Sequence, residues 1–306
     1  ELRLVFDPRR VVLTVCGTPR LWNIDSGECL GTFEGHARSV NFAVFSPDGS
    51  RVLTAAEDTT AKLWSAESHE CLCTFEGHAG SVASGTFSPS GAQVLTASDD
   101  LTAKLWCVGS GQCLRTFRGH QSAVTFADFS PDGAHLLSSS LDGVAMLWRL
   151  DCHQSLRTFA GHLRRVTSVA FSPDGALVLS ASADHTAKLW GVACGECVRI
   201  FDGHADWLTS AVFSPDGTRV LTASVDRTAK LWDAETGSCL LTFAGHLYRL
   251  SWAAFSPDGG QVLTSGHDRT TRLWSAESGE CLRTLEKHTG VVKSAVFLPA
   301  VGFSGE

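Results

Sequence analysis

No stretch of this sequence approaches the run of about eighteen apolar residues that a membrane-spanning helix requires. The opening, ELRLVFDPRR, is broken by charges where a secretion signal needs an uninterrupted apolar core. Neither membrane insertion nor secretion is expected. Basic charge is scarce too: 25 Lys and Arg stand against 32 Asp and Glu, a net charge of -7. A protein that grips nucleic acid through its phosphates needs the opposite balance on at least one face, so no direct nucleic-acid contact is expected. Eleven cysteines, an odd number spread over a long chain, suit a reducing compartment better than a disulfide framework. An intracellular, cytoplasmic location follows as an expectation.

Signature motifs are missing as well. There is no Gly-x-x-x-x-Gly-Lys-Ser/Thr phosphate loop, His-Glu-x-x-His zinc helix, Gly-x-Ser-x-Gly elbow or calcium loop, so neither a cofactor nor an enzymatic activity is expected. No heptad pattern or low-complexity segment occurs. What the sequence has in quantity is glycine, 29 residues distributed along its length, and so many turn-formers favour an all-β fold.

The glycines belong to an internal repeat. Gly-His recurs at 35–36, 77–78, 119–120, 161–162, 203–204 and 245–246, then as Lys287-His288, always 42 residues apart. Leu-Trp keeps the same interval at 21–22, 63–64, 105–106, 147–148, 189–190, 231–232 and 273–274. Within one unit, such as 203–243, four short runs rich in Val, Leu, Thr and aromatics are separated by turn signals and read as strands. Ser-Pro-Asp-Gly at 46–49, 130–133, 172–175, 214–217 and 256–259, with Ser88-Pro89-Ser90-Gly91 as a variant, joins the first two strands. Pro at its second position pre-sets φ, and Gly at its fourth fits a type I turn. A lone sheet of this size cannot bury both faces, so units of about forty residues must stack and close into a ring.

The Gly-His, Ser-Pro-Asp-Gly, Ser-x-Asp-x-Thr and Leu-Trp series resembles the WD-repeat propellers from end to end, although the usual Asp after Trp survives only at Trp232-Asp233. The resemblance implies one all-β domain over 1–306, a seven-bladed β-propeller with four antiparallel strands per blade. Blades are expected at about 1–33, 34–75, 76–117, 118–159, 160–201, 202–243 and 244–285, with 286–306 an extra closing strand or the start of a further repeat. In the first blade Asp7-Pro8-Arg9-Arg10 shortens the turn and Gly17-Thr18-Pro19 replaces the Asp-bearing loop, so its sheet should be the least well pinned. Segments 2–6 and 291–297 both read as its first strand. One of the two is surplus to a closed ring.

The resemblance also implies a buried bond chain in each blade, from a His through a second-strand hydroxyl and a turn Asp to a third-strand Trp. Trp and His each carry an N–H that needs a partner when buried. The complete sets would be His78, Ser98, Asp100, Trp106; His120, Ser140, Asp142, Trp148; His162, Ser182, Asp184, Trp190; and His204, Ser224, Asp226, Trp232. Ala56 between His36 and Asp58, and Gly266 between His246 and Asp268, would break two more. A Ser/His/Asp grouping repeated at a fixed interval is scaffold, since a hydrolase needs one triad. Cys194-Gly195-Glu196-Cys197 has redox or zinc spacing. Cys29, Cys71, Cys113, Cys197, Cys239 and Cys281 nevertheless share one repeat position, so only Cys194 is extra and no metal is expected.

Function should lie where equivalent positions disagree. In the family the top face around the channel is lined by the residues three and five after each His and by the residue before the turn Asp. The first set is Ser39, Ser81, Ala123, Arg165, Trp207, Arg249 and Val291; the second is Asn41, Ala83, Thr125, Thr167, Thr209, Ser251 and Lys293. The third is Glu57, Asp99, Leu141, Ala183, Val225 and His267. Arg165, Trp207 and Arg249 fall on consecutive blades, followed by His267 and Lys293, with Arg164 and Tyr248 one residue away. Trp, Tyr and Arg most often carry interface energy. A basic, aromatic arc facing acidic or phosphorylated partner segments is therefore expected, with Glu57 and Asp99 on the opposite side. Trp252 is singular at its own repeat position.

The leading reading is a non-catalytic protein–protein interaction scaffold within a multiprotein assembly. Family members serve ciliary, signalling, ribosomal and ubiquitin-ligase complexes, so the fold does not choose among them, and a cytoskeletal or ciliary setting is compatible. The alternative is a recognition module of a larger regulatory protein such as a ubiquitin-ligase receptor. Trp232-Asp233-Ala234-Glu235 lacks the Arg that ligase adaptors often place there. A propeller enzyme would need clustered, non-repeating acids, for which only Asp99 and Glu57 qualify.

Overall fold

The computed structural model describes residues 11–151 and 154–299, which contain strands and turns and no helix. Their 28 strands form seven four-stranded antiparallel sheets. The chain is an all-β, seven-bladed propeller.

β1 (Val11–Cys16), β2 (Thr18–Asn23) and β3 (Glu28–Thr32) form three strands of the first blade. The second blade runs outward in chain order from β4 (Val40–Phe45) through β5 (Arg51–Ala56) and β6 (Ala61–Ser65) to β7 (Cys71–Phe75). β8–β11, β12–β15, β16–β19, β20–β23 and β24–β27 repeat that order over 82–118, 124–159, 166–201, 208–244 and 250–285. The last strand, β28 (Ser294–Phe297), pairs antiparallel with β1, from Val12 opposite Phe297 to Val15 opposite Ser294. The inner strand of the first blade thus comes from the end of the described chain. The other candidate for that place, 2–6, and the turn 7–10 lie outside the described residues.

Burial explains why the second strands are so apolar. Val52, Leu53, Thr54, Ala55 and Ala56 of β5 are all buried, on both faces, because each sheet is stacked between two others. The core accordingly lies between blades: Leu53, Leu63 and Phe75 of the second blade pack with Phe87, Val94 and Trp106 of the third. Each third-strand Trp meets the outer-strand Phe of the preceding blade, as Phe75 meets Trp106 at 5.6 Å between ring centroids. At the closing seam Leu285 holds the Phe position against Trp22. The Ser-Pro-Asp-Gly turns are self-contained: Ser46 O accepts from Gly49 N at 2.8 Å, and Asp48 Oδ1 accepts from Ser50 N at 3.0 Å.

Inner strands of neighbouring blades touch all round the ring, and β28 touches both β4 and β24. The channel they enclose is plugged. Trp252 of the seventh blade stacks on Phe126 of the fourth at 5.5 Å, and Phe42 of the second meets both rings edge-on at 5.4 and 5.1 Å. The four other blades carry Ser84, Ser168, Ser210 and Ser294 at the equivalent position. Trp252 is singular because one ring of its size fills the axis.

Candidate functional site

The top of six blades, the second to the seventh, is fixed by a chain of side-chain bonds. In the third blade Trp106 Nε1 donates to Thr96 Oγ1 at 2.8 Å, Thr96 Oγ1 lies 2.7 Å from His78 Nε2, and His78 Nδ1 lies 2.7 Å from Asp100 Oδ2. A carboxylate only accepts, so the ring proton sits on Nδ1 and the threonine hydroxyl donates to Nε2. Asp100 also accepts from Ala79 N and from the amide and hydroxyl of Thr102. Burial alone would raise this carboxyl; the bonds outweigh it and bring it to about 2. Burial likewise holds His78 below its usual value in spite of the neighbouring Asp100.

The bridging hydroxyl corrects the sequence expectation. Ser98 is outside the chain of bonds: its Oγ donates to Gly80 O at 3.2 Å and accepts from Asp100 N at 3.1 Å, which holds the turn. Ser138, Ser180 and Thr222 bridge His to Trp in the next three blades. Ser140, Ser182 and Ser224 make the turn contacts there. Nor are two sets broken. Thr54 joins His36 to Trp64 and Thr264 joins His246 to Trp274, so Ala56 and Gly266 forfeit only the turn contact. The incomplete set is in the first blade, where Trp22 still reaches Thr14 but Gly17 stands in the loop that elsewhere carries Asp. His288 Nδ1 is buried there without a partner, and burial with the nearby Arg20 charge pushes this imidazole down to about 4.

This scaffold delivers the varied residues to one mouth of the channel. Arg165, Trp207, Arg249, His267, Val291 and Lys293 line a common cavity of about 510 Å³ with no carboxylate among its lining residues. Arg165 lies over the indole of Trp207, its Cζ 4.5 Å from the ring centroid. Arg249 Nε donates to His267 Nε2 at 3.0 Å. That bond requires the neutral ring, and burial followed by the Arg249 charge lowers the His267 pKa accordingly. Ser251, which sequence comparison did not single out, lines the same cavity with a buried Oγ that has no partner. Arg164, Leu163 and Leu247 are exposed beside it, and Tyr248 is 63% exposed.

Two expected members behave differently. Lys293 Nζ is held by Ser39 Oγ at 3.0 Å, Asn41 Oδ1 at 2.8 Å and Glu57 Oε1 at 3.0 Å, so it ties the closing strand β28 to the second blade and Glu57 is its counter-ion. Asp99 is exposed on the third blade, outside the cavity lining. The residues five after each His are mostly inter-blade staples. The β4–β5 register shifts between Val40 and Phe42, making Asn41 a bulge residue whose amide reaches Val82 O of the next blade. Thr125 and Thr167 donate in the same way to Val166 O and Leu208 O.

The WD domain, G-beta repeat family matches residues 27–65, 69–107, 111–149, 153–191, 195–233 and 237–275. The chain belongs to the WD-repeat family. Each match begins just before an outer strand and ends on the third strand of the next blade, as 27–65 takes in β3 to β6. The WD repeat is therefore offset from the blade by one strand, and the remaining four strands, β27–β28 and β1–β2, make up a seventh unit divided between the two ends of the described chain. No curated protein matched the chain. Among the described residues no group of His, Cys, Asp or Glu is placed to hold a metal ion, and Cys194 and Cys197 are exposed free thiols.

Proposed function

We propose that this WD-repeat propeller is a non-catalytic interaction scaffold whose top face holds an acidic or phosphorylated segment of a partner protein. One observation carries the reading: Arg165 braced on Trp207 and Arg249 braced on His267 converge on a single carboxylate-free cavity. Both guanidinium groups are pre-oriented by a neighbour, so less rotamer freedom is lost when an anion arrives. Guanidinium groups grip carboxylates and phosphates through two parallel bonds. The unpartnered Ser251 hydroxyl is a donor for the same anion, and Tyr248, Leu163 and Leu247 offer apolar contact at the rim. Nothing in this arrangement pairs a nucleophile with a base beside a substrate space, which supports binding over catalysis.

The test is affinity purification of the tagged chain from extract of its own cells, run beside the triple substitution Arg165→Ala, Trp207→Ala, Arg249→Ala. A defined set of partners that the triple variant partly loses is the expected result. Full recovery of every partner by the variant overturns the top-face assignment.

A further inference from the structure

The opposite mouth of the channel is apolar where the top is basic. It is an open funnel of about 600 Å³ whose floor is the plug of Phe42, Phe126 and Trp252 and whose rim includes Pro131, Pro173, Pro215, Pro257 and Pro299. Among its lining residues only one is charged. That residue is Asp128 of β12 (Val124–Phe129), two positions after Phe126 and on the same face of the strand. Equivalent positions in the other blades hold Val44, Thr86, Ala170, Val212, Ala254 and Val296. No Lys, Arg or His lines the funnel to neutralise it.

We propose that this funnel binds a small organic cation, an apolar body bearing one ammonium group, with Asp128 as counter-ion and the Phe42, Phe126 and Trp252 rings as its wall. The volume falls within the range of about 300–1,000 Å³ typical of small-molecule sites. An apolar, aromatic wall with a single negative charge selects a ligand that is itself apolar apart from one positive charge, through ion pairing and attraction of the cation to the ring faces. The carboxylate has a structural duty too: Oδ1 accepts from Phe129 N at 3.0 Å, and the backbone amide of Phe171 in the next blade also favours its charged form. Two amides do not exhaust a carboxylate, which accepts about four bonds. Burial lifts its pKa to about 6 despite those amides, so the charge is short of stabilising partners. A threonine or serine would staple the blades as well at lower desolvation cost, as Ser168 does for Ala211 N.

The inference does not rest on the top-face reading. Its probe is benzyltrimethylammonium, titrated into the whole chain by calorimetry and ligand-observed NMR beside benzyl alcohol and benzoate. The cation is expected to bind, at least tenfold tighter than benzyl alcohol, with benzoate not bound. Asp128→Asn, which keeps an acceptor for the amides, is expected to weaken the cation at least tenfold and to leave benzyl alcohol unchanged. If Asp128→Asn does not fold, Phe126→Leu replaces it, with a severalfold loss expected for the cation alone. Arg165→Ala with Arg249→Ala at the other mouth should change nothing here. No binding of the cation at millimolar concentration, equal binding of benzyl alcohol, or indifference to the substitution at Asp128 (or Phe126 in its place) overturns the proposal.

Discussion

Trp106 and Thr96 share the bond on which the third blade hangs: the indole N–H donates to Oγ1 at 2.8 Å, and the same hydroxyl passes its own proton toward His78. Removing that oxygen strands two buried polar groups at once, each costing about 1–3 kcal/mol when left unpaired. Thr96→Val should therefore destabilise the propeller by about 2–6 kcal/mol on that basis. Ser98→Ala, which removes only a turn contact and reproduces the Ala56 arrangement, should cost about 1 kcal/mol or less. Denaturant unfolding of both variants decides the matter; equal losses would return Ser98 to the chain of bonds.

The family resemblance placed Ser98 in the chain of bonds, and strand geometry explains why Thr96 was not told apart from it. Thr96 and Ser98 lie two apart on one strand, so both face the same way, and the period of a strand cannot separate them. Interval counting did find what is local or strictly periodic: the strands, the turns, and the recurring His, Asp and Trp; the top-face positions came from the family resemblance. Counting could not find contacts made across the ring. Lys293 and Glu57 meet over a separation of 236 residues, and Phe42, Phe126 and Trp252 converge from three different blades. Asp128 carried a readable signal, a lone acid in a column of Val, Ala and Thr, but its isolation in an apolar funnel needed the closed ring.

The closing blade supplies a pH prediction. His288 has a folded pKa of about 4 against an ordinary 6.5, so the unfolded chain binds the extra proton between those values. Stability is then fully present above 6.5 and declines as pH falls toward 4, by up to about 3 kcal/mol from this group at about 1.4 kcal/mol per pH unit. The depressed carboxyls such as Asp100 add their own loss only below about 3.8, toward 2. Hydrogen exchange at pH 5 should show β28 and β1 losing protection before the inner strands of the other blades, and His288→Leu should abolish that difference. Uniform loss round the ring would contradict it.

Gly35 tests how tightly the His loop is fitted. Its φ is +145°, a conformation side chains rarely adopt, and a Cβ there would lie 3.1 Å from Trp64 Cη2. Gly35→Ala should cost about 2–3 kcal/mol from backbone strain and the displaced indole together. Gly109, where an added Cβ meets nothing, is the control; Gly109→Ala should leave the thermal midpoint within about a degree or two. A silent Gly35→Ala would mean that the loop moves away from Trp64 without penalty.

Lys293 and Arg249 line one cavity yet should fail in opposite ways. Lys293 is neutralised by Glu57 at 3.0 Å and holds Ser39 and Asn41 of the second blade as well, so its charge is spent within the protein on tying the closing strand β28 to the second blade. The ion pair is partly exposed and worth about 1 kcal/mol or less, with the two further bonds adding a similar amount. Lys293→Ala should lower stability by about 1–2 kcal/mol and leave partner capture intact. Arg249 is exposed and bonded through Nε to a neutral His267, which leaves its other two guanidinium nitrogens for the anion proposed to enter the cavity. Arg249→Ala should leave the unfolding midpoint nearly unchanged and weaken capture by about tenfold or more, the effect of losing a charged bond of about 1.5–3 kcal/mol. The comparison is a pair of unfolding curves and a pair of pull-downs. A loss of capture with Lys293→Ala and none with Arg249→Ala would move the binding face from the basic arc to the junction of β28 with the second blade.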